Sequence, residues 1–259
     1  MGIEREINPA MLLVGHGTRD ERGAAEFLAT AKRISALVPE VVVEAGFLEL
    51  AEPSIEAALE RLVARGVGEV VVVPLLLFAA GHAKQDIPND VAVAASRFSH
   101  LRIKQAEPLG CAEKVLAASA ERFQLALPAN DSESRTNVAL IMVSRGTSDV
   151  SAIADVHRFV ELRQRLTPVA YATTAFMAVA EPSVTTALDA VSRSPYQCVM
   201  VQPHLLFQGQ LTSDLREMVN MKQAECPTKQ WLLADHLGPC DLIAQAAIDR
   251  FRATRSMDD

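Results

Sequence analysis

The sequence repeats itself, and the repetition constrains the fold more than any other feature. VALIMVSRGTSD at 138–149 matches AMLLVGHGTRD at 10–20, and FMAVAEPSVTTALDAV at 176–191 matches FLELAEPSIEAALERL at 47–62. VMVQPHLLFQGQ at 199–210 then matches VVVPLLLFAAGH at 71–82, and LGPCDLIAQAAIDRF at 237–251 matches LGCAEKVLAASAERF at 109–123. The offset stays at 128 or 129 residues, as Gly17/Gly146 and Asp86/Asp214 illustrate. A constant period over so many segments marks a duplicated structural unit.

Within one copy, apolar strand patterns alternate with helical ones. EVVVVPLLLF, opening the stretch 69–88, is too short to span a bilayer and too rich in β-branched residues for a helix. It reads as a strand buried on both faces, the kind found in parallel sheets. Shorter strands are predicted at 10–15, 41–47 and about 101–107. Between them, Phe27, Ala31, Ile34 and Val38 recur at helical spacing, as do Ile55, Leu59, Leu62 and Val63. Helices are also predicted over Val91 to Phe98 and from about Cys111 to Leu127. The order is βα four times per copy, which predicts an α/β protein of two tandem, duplicated domains, each a four-stranded parallel sheet flanked by helices. The polar stretch PANDSESRTN at 128–137 reads as the linker, giving domains at 1–128 and 138–259. Two such domains facing each other would enclose a cleft between their strand ends.

Composition excludes several classes. A net charge of −7 without a dense basic run argues against general nucleic-acid binding. No apolar segment reaches the roughly 20 residues of a membrane span, and the N-terminal residues lack the pattern of a secretion signal, so a cytoplasmic protein with no membrane partner is expected. Cys111, Cys198, Cys226 and Cys240 form no CxxC pair and are read as reduced and packed.

Comparison of the two copies separates fold from function. Gly17/Gly146, Thr18/Thr147, Asp20/Asp149, Glu52/Glu181, Pro53/Pro182, Pro74/Pro203 and Asp86/Asp214 are kept in both, so the fold alone can explain them. Three positions differ: His16 becomes Arg145, Glu49 becomes Ala178, and His82 becomes Gln210. His16, Glu49 and His82 fall at the ends of the first three strands, where open α/β sheets bind ligands. Two imidazoles and a carboxylate form a borderline N/O donor set suited to Fe²⁺, Co²⁺, Ni²⁺ or Zn²⁺, and three protein ligands leave a coordination position open. The first copy is thus expected to carry a metal site that the second lacks. His204, aligned with Leu75, is read as a core residue, and His100, His157 and His236 as solvated.

GHGTRD, FLELAEPS and PLLLFAAGHAKQDIP together resemble the class II chelatases of the sirohydrochlorin family, the CbiX and SirB type, in its longer two-domain form. The resemblance covers nearly the whole chain. It implies a chelatase-like fold and insertion of Co²⁺ or Fe²⁺ into sirohydrochlorin, in cobalamin or sirohaem biosynthesis. His16 and His82 carry over as metal-binding and catalytic residues, with Glu49 as the acidic partner. The metal is then a substrate, with Ni²⁺ fitting the same donors, and no organic cofactor is implied. Insertion displaces two pyrrole N–H protons, and imidazole is the side chain whose ordinary pKa suits their acceptance near neutral pH. The implied tetrapyrrole is a flat polycarboxylate that calls for cations and hydrogen-bond donors; Arg145, Arg19, Lys84 and Gln210 are the candidates.

The alternative is a metal or tetrapyrrole carrier that binds without accelerating insertion. A hydrolase or phosphatase built on the Gly-His-Gly turn fits poorly, because no GxSxG accompanies it and no Arg precedes His16. With the unit already duplicated, a monomer could replace a homodimer of single domains.

Overall fold

In the computed structural model the described residues are 10–78, 82–98, 100–128 and 137–256, and for 82–84 only the helical backbone is described. Eight strands and eight helices alternate along them: β1 (Ala10–Gly15), α1 (Glu21–Leu37), β2 (Val42–Phe47), α2 (Ile55–Ala64), β3 (Glu69–Pro74), α3 (His82–Ala95), β4 (Arg102–Gln105) and α4 (Glu113–Ala126). The second copy continues with β5 (Val138–Ser144), α5 (Val150–Leu166), β6 (Tyr171–Phe176), α6 (Val184–Ser192), β7 (Cys198–Pro203), α7 (Gln210–Glu225), β8 (Gln230–Leu233) and α8 (Asp241–Arg255). The strands form two four-stranded sheets, ordered β2-β1-β3-β4 and β6-β5-β7-β8. Every pairing is parallel, as expected of a βα repeat.

The strands follow from their burial. Every residue of β1 and β5 is buried, and the Val run of β3 is buried throughout, so both faces of each sheet are covered. Successive side chains point to opposite faces. In the first unit, Leu12, Val14, Val70 and Val72 pack with Ile55, Leu59 and Leu62 of α2 and with Ile87 and Val91 of α3. The second unit repeats this core with Ile141, Val143, Val199 and Val201 against Val184, Leu188, Leu215 and Val219. Helix starts follow from their caps. Asp20 and Asp149 accept backbone N–H groups at the heads of α1 and α5, and Ser54 and Ser183 do so for α2 and α6.

Two elements differ from the sequence expectation. Helix α3 runs from His82 through Pro88 to Ala95, starting before the stretch Val91 to Phe98 and ending within it. Proline reads as a breaker, yet Ile87, Val91 and Ala94 form one buried stripe across it, and that packing decides. Strand β4 is shorter than the stretch 101–107, ending at Gln105.

The larger difference concerns which helix completes which unit. The compact units are Met1–Leu109 with Pro239–Asp259, and Gly110–Gly238. These do not coincide with the repeats at 1–128 and 138–259. Helix α4 packs with α5 in the second unit, and α8 packs with α1 and β3 in the first. The Arg122 guanidinium of α4 donates to the Leu237 carbonyl at 3.1 Å, and its counterpart Arg250 of α8 donates to the Leu109 carbonyl at 2.9 Å. The last helix of each repeat therefore completes the unit built on the other repeat's sheet.

A buried polar cluster accompanies this exchange. Arg163 of α5 is fully buried and donates through Nε to Ser119 Oγ of α4 at 3.2 Å, with its guanidinium 5.2 Å from the centre of the Phe123 ring. Gln202 of β7 donates to the Ser119 carbonyl at 2.7 Å. Burial pulls Arg163 down to about 10, still charged at neutral pH. The equivalent positions of the first unit are Ile34, Ala247 and Val73, all buried and apolar. An α8 docked on the second sheet would offer alanine in place of the Ser119 hydroxyl that accepts from Arg163 Nε at 3.2 Å and from Gln202 at 3.2 Å, leaving each buried donor group one acceptor short, which is costly.

Candidate metal site

Strands β1 and β2 run in register from Ala10↔Val42 to Gly15↔Phe47, so they end side by side. The pairing continues one step past the strands: Leu48 N–H donates to the Gly15 carbonyl at 2.9 Å, and Glu49 N–H donates to the His16 carbonyl at 3.1 Å. This ladder fixes His16 and Glu49 as neighbours. Gly17 makes the close approach feasible. Its φ is +99°, and a Cβ there would stand 1.7 Å from the Glu49 carbonyl oxygen, so no side chain fits. Asp20, whose own N–H is held by Thr18 Oγ1, then starts α1 and carries the chain away from the site.

The two side chains meet. His16 Nδ1 lies 3.4 Å from Glu49 Oε1, with 40% and 54% of the respective side chains exposed. Two donors bound to one tetrahedral ion at about 2.1 Å each stand roughly 3.4 Å apart, so the observed separation suits a shared ion. Exposure leaves room for further ligands.

His82, the third predicted ligand, is the first residue of α3 and follows β3, which lies beside β1. Its side chain, like that of Lys84, lies outside the described residues. Among the described residues no group of three His, Cys, Asp or Glu could hold a metal, which leaves His16 and Glu49 as the described pair.

The second unit keeps the frame and lacks the donors. Met177 N–H bonds the Ser144 carbonyl and Ala178 N–H the Arg145 carbonyl, both at 3.0 Å. Gly146 has φ +92°, and a Cβ on it would stand 1.9 Å from the Ala178 carbonyl oxygen. Arg145 stands where His16 does, exposed and with no ion pair among the described residues. Asp149, a conceivable partner for it, caps α5 instead. Arg19 is exposed in the loop between β1 and α1. Gln210, the equivalent of His82, heads α7 and donates to Asp214 Oδ1 at 2.5 Å.

Of the remaining histidines, His204, His157 and His100 behave as the sequence suggests, whereas His236 is half-buried rather than solvated. His204 is 2% exposed, with its ring 4.1 Å from that of Phe159, and burial pushes its imidazole down to about 3, so it is neutral and part of the core. His157 is exposed and its Nδ1 lies 3.0 Å from Thr174 Oγ1. What the sequence reading missed is local backbone geometry. The close approach of Gly17 to Glu49 was signalled by a glycine kept in both copies, whereas the turn after Glu49 had no signal at all.

Parallel α/β units with an exposed imidazole and carboxylate at adjoining strand ends fit the chelatase type. The chain belongs to the CbiX family, whose profile matches it twice, over residues 10–126 and 139–254. A sirohydrochlorin ferrochelatase of Priestia megaterium is 30% identical over 241 residues, covering 93% of this chain and 88% of the relative. A sirohydrochlorin cobaltochelatase of the same organism is 31% identical over 235 residues, covering 88% of this chain and 74% of the relative. Among solved structures, SirB from Bacillus subtilis with Fe³⁺ superposes with a TM-score of 0.84 at 31% identity, over 95% of each chain. Among the described residues no helix is long and apolar enough to cross a membrane.

Proposed function

We propose that this chain inserts a divalent metal ion into sirohydrochlorin, with Co²⁺ or Fe²⁺ as the second substrate. The observation that carries the reading is the exposed His16/Glu49 pair at 3.4 Å, in the copy that also heads α3 with His82. In the reaction M²⁺ enters the ring and two pyrrole protons leave. Insertion needs a metal held by few protein ligands, because each protein–metal bond must be given up as a pyrrole nitrogen replaces it. His16, Glu49 and His82 are the metal ligands in this reading, and the two imidazoles vacated by the ion each accept one of the two pyrrole protons. Arg145, Arg19, Lys84 and Gln210 are assigned to the substrate carboxylates; Arg145 and Arg19 are exposed guanidiniums suited to bidentate pairing. Identity does not select the metal, since a ferrochelatase and a cobaltochelatase of one organism are equally similar.

The test is to mix protein with sirohydrochlorin and either Co²⁺ or Fe²⁺, follow the change in tetrapyrrole absorption, and repeat with His16→Ala, Glu49→Gln and His82→Ala. The expected outcome is acceleration over the spontaneous reaction, lost in each variant. Stoichiometric binding without acceleration would make the chain a carrier, and unchanged rates in the variants would remove the assigned ligands.

A further inference from the structure

Glu49 is followed by a turn that no residue preference favours. Leu50 has φ +63°, and Ala51 N–H closes onto the Glu49 carbonyl at 2.8 Å, making a three-residue γ-turn with leucine at its tip. The second unit repeats it: Val179 has φ +66°, and Ala180 N–H closes onto the Ala178 carbonyl at 2.7 Å. Bulky and β-branched side chains avoid this region of backbone space, which glycine or asparagine occupies with little strain. The side chains are not compensated by core packing, because Leu50 is 50% exposed and Val179 is 77% exposed.

A requirement of the fold for the turn alone would be met by glycine. A requirement of the metal site would have lapsed in the second copy along with its ligand, for Ala178 replaces Glu49 there. What both copies keep is an exposed apolar tip on a strained turn. A strained turn kept in both copies, while only one keeps the candidate ligand, points to a task in binding something other than the metal. The turn is also firmly seated, since the Glu49 carbonyl it closes on abuts Gly17 and the Glu49 N–H is tied to His16. A backbone seated in this way loses little freedom when a ligand covers the side chain it carries.

We propose that Leu50 is a substrate-positioning residue: its side chain packs against the apolar face of the tetrapyrrole while the pyrrole nitrogens meet the ion held beside it by His16 and Glu49. This rests on the chelatase reading and adds the contact that holds the ring against the metal. The substrate's carboxylates lie on its periphery, so cations can grip only the rim. An apolar group next to the metal ligands supplies what the ring face needs.

The experiment compares wild type with Leu50→Gly, Leu50→Asn and Leu50→Met under saturating Co²⁺ and varied sirohydrochlorin. Gly and Asn both fit the turn and remove the apolar contact, whereas Met retains it. The expected result is a KM for sirohydrochlorin raised about fivefold in the Gly and Asn variants with kcat unchanged, the size expected for losing roughly half of a leucine's burial as uniform binding. Met restores the wild-type KM, and Co²⁺ affinity and melting temperature do not fall in any variant. An unchanged KM in Gly and Asn overturns the proposal. So does a joint fall in Co²⁺ affinity and melting temperature, because Leu50 would then be part of the scaffold. If wild type itself fails to accelerate insertion, the chelatase reading fails separately. Sirohydrochlorin binding to wild type and Leu50→Asn then decides the contact alone: weaker binding by the variant supports it, and equal binding overturns it.

Discussion

Gly17→Ala and Gly146→Ala form a matched pair that isolates the candidate metal site from the scaffold. Both glycines hold positive φ, +99° and +92°, and a Cβ on either would stand 1.7 or 1.9 Å from a backbone carbonyl oxygen. Backbone oxygen cannot swing aside as a flexible side chain can, so each substitution must push the neighbouring loop away. The positive φ alone costs an alanine about 1–2 kcal/mol, and with the displaced loop a loss of about 2–3 kcal/mol is expected at each site. At roughly 2–4 °C per kcal/mol, that lowers melting by about 4–12 °C in both variants. The consequences for metal differ. The loop displaced by Gly17→Ala carries Glu49, whereas the loop displaced by Gly146→Ala carries Ala178, which has no donor. Co²⁺ affinity should fall about 10- to 100-fold in Gly17→Ala, the range for a disturbed ligand orientation, and stay at the wild-type value in Gly146→Ala. Calorimetric melting and Co²⁺ titration of the two purified variants supply both numbers. Equal losses of Co²⁺ affinity in the pair, or unchanged affinity in Gly17→Ala despite lowered melting, would refute the reasoning.

Stability should also fall with acid through His204. Burial holds its folded pKa at about 3, below the ordinary 6.5 of the unfolded chain, so the unfolded state binds the extra proton between those values and stability drops as pH falls from about 6.5 toward 3, with a slope approaching 1.4 kcal/mol per pH unit. His204→Leu, which installs the residue found at Leu75, should flatten that slope in denaturant titrations run at several pH values; an unchanged slope would place the acid sensitivity elsewhere. Ser119→Ala should cost about 1–3 kcal/mol by removing an acceptor from buried Arg163 and leaving Gln202 one partner fewer. Converting Arg163→Ile, Gln202→Val and Ser119→Ala together, the apolar set of the first unit, should leave stability near or above wild type by chemical denaturation, and a deficit larger than that of Ser119→Ala alone would count against the cluster as described.

Much of the fold was legible because its signals are local or periodic. The Val run of β3 is buried on both faces as its composition demands, and the helical spacings of Phe27, Ala31 and Ile34 and of Ile55, Leu59 and Leu62 fall on the buried faces of α1 and α2. His16 and Glu49 could be paired in advance because parallel topology brings strand ends to one edge, and the structure places them 3.4 Å apart. Helix α3 was harder, since Pro88 interrupts the pattern that Ile87 and Val91 complete only when packed.

The sequence by itself determined the repeat, the parallel sheets and the confinement of the candidate metal ligands His16, Glu49 and His82 to one copy, because each is written in residue type and spacing. Tertiary structure alone decided which helix completes which unit and how the chain turns after Glu49. α4 and α8 are alike in pattern, and their partners differ by whether a buried guanidinium meets a serine or an alanine. The turn at Leu50 is held by a glycine and a carbonyl from a neighbouring loop, contacts between residues distant in sequence that no local preference encodes.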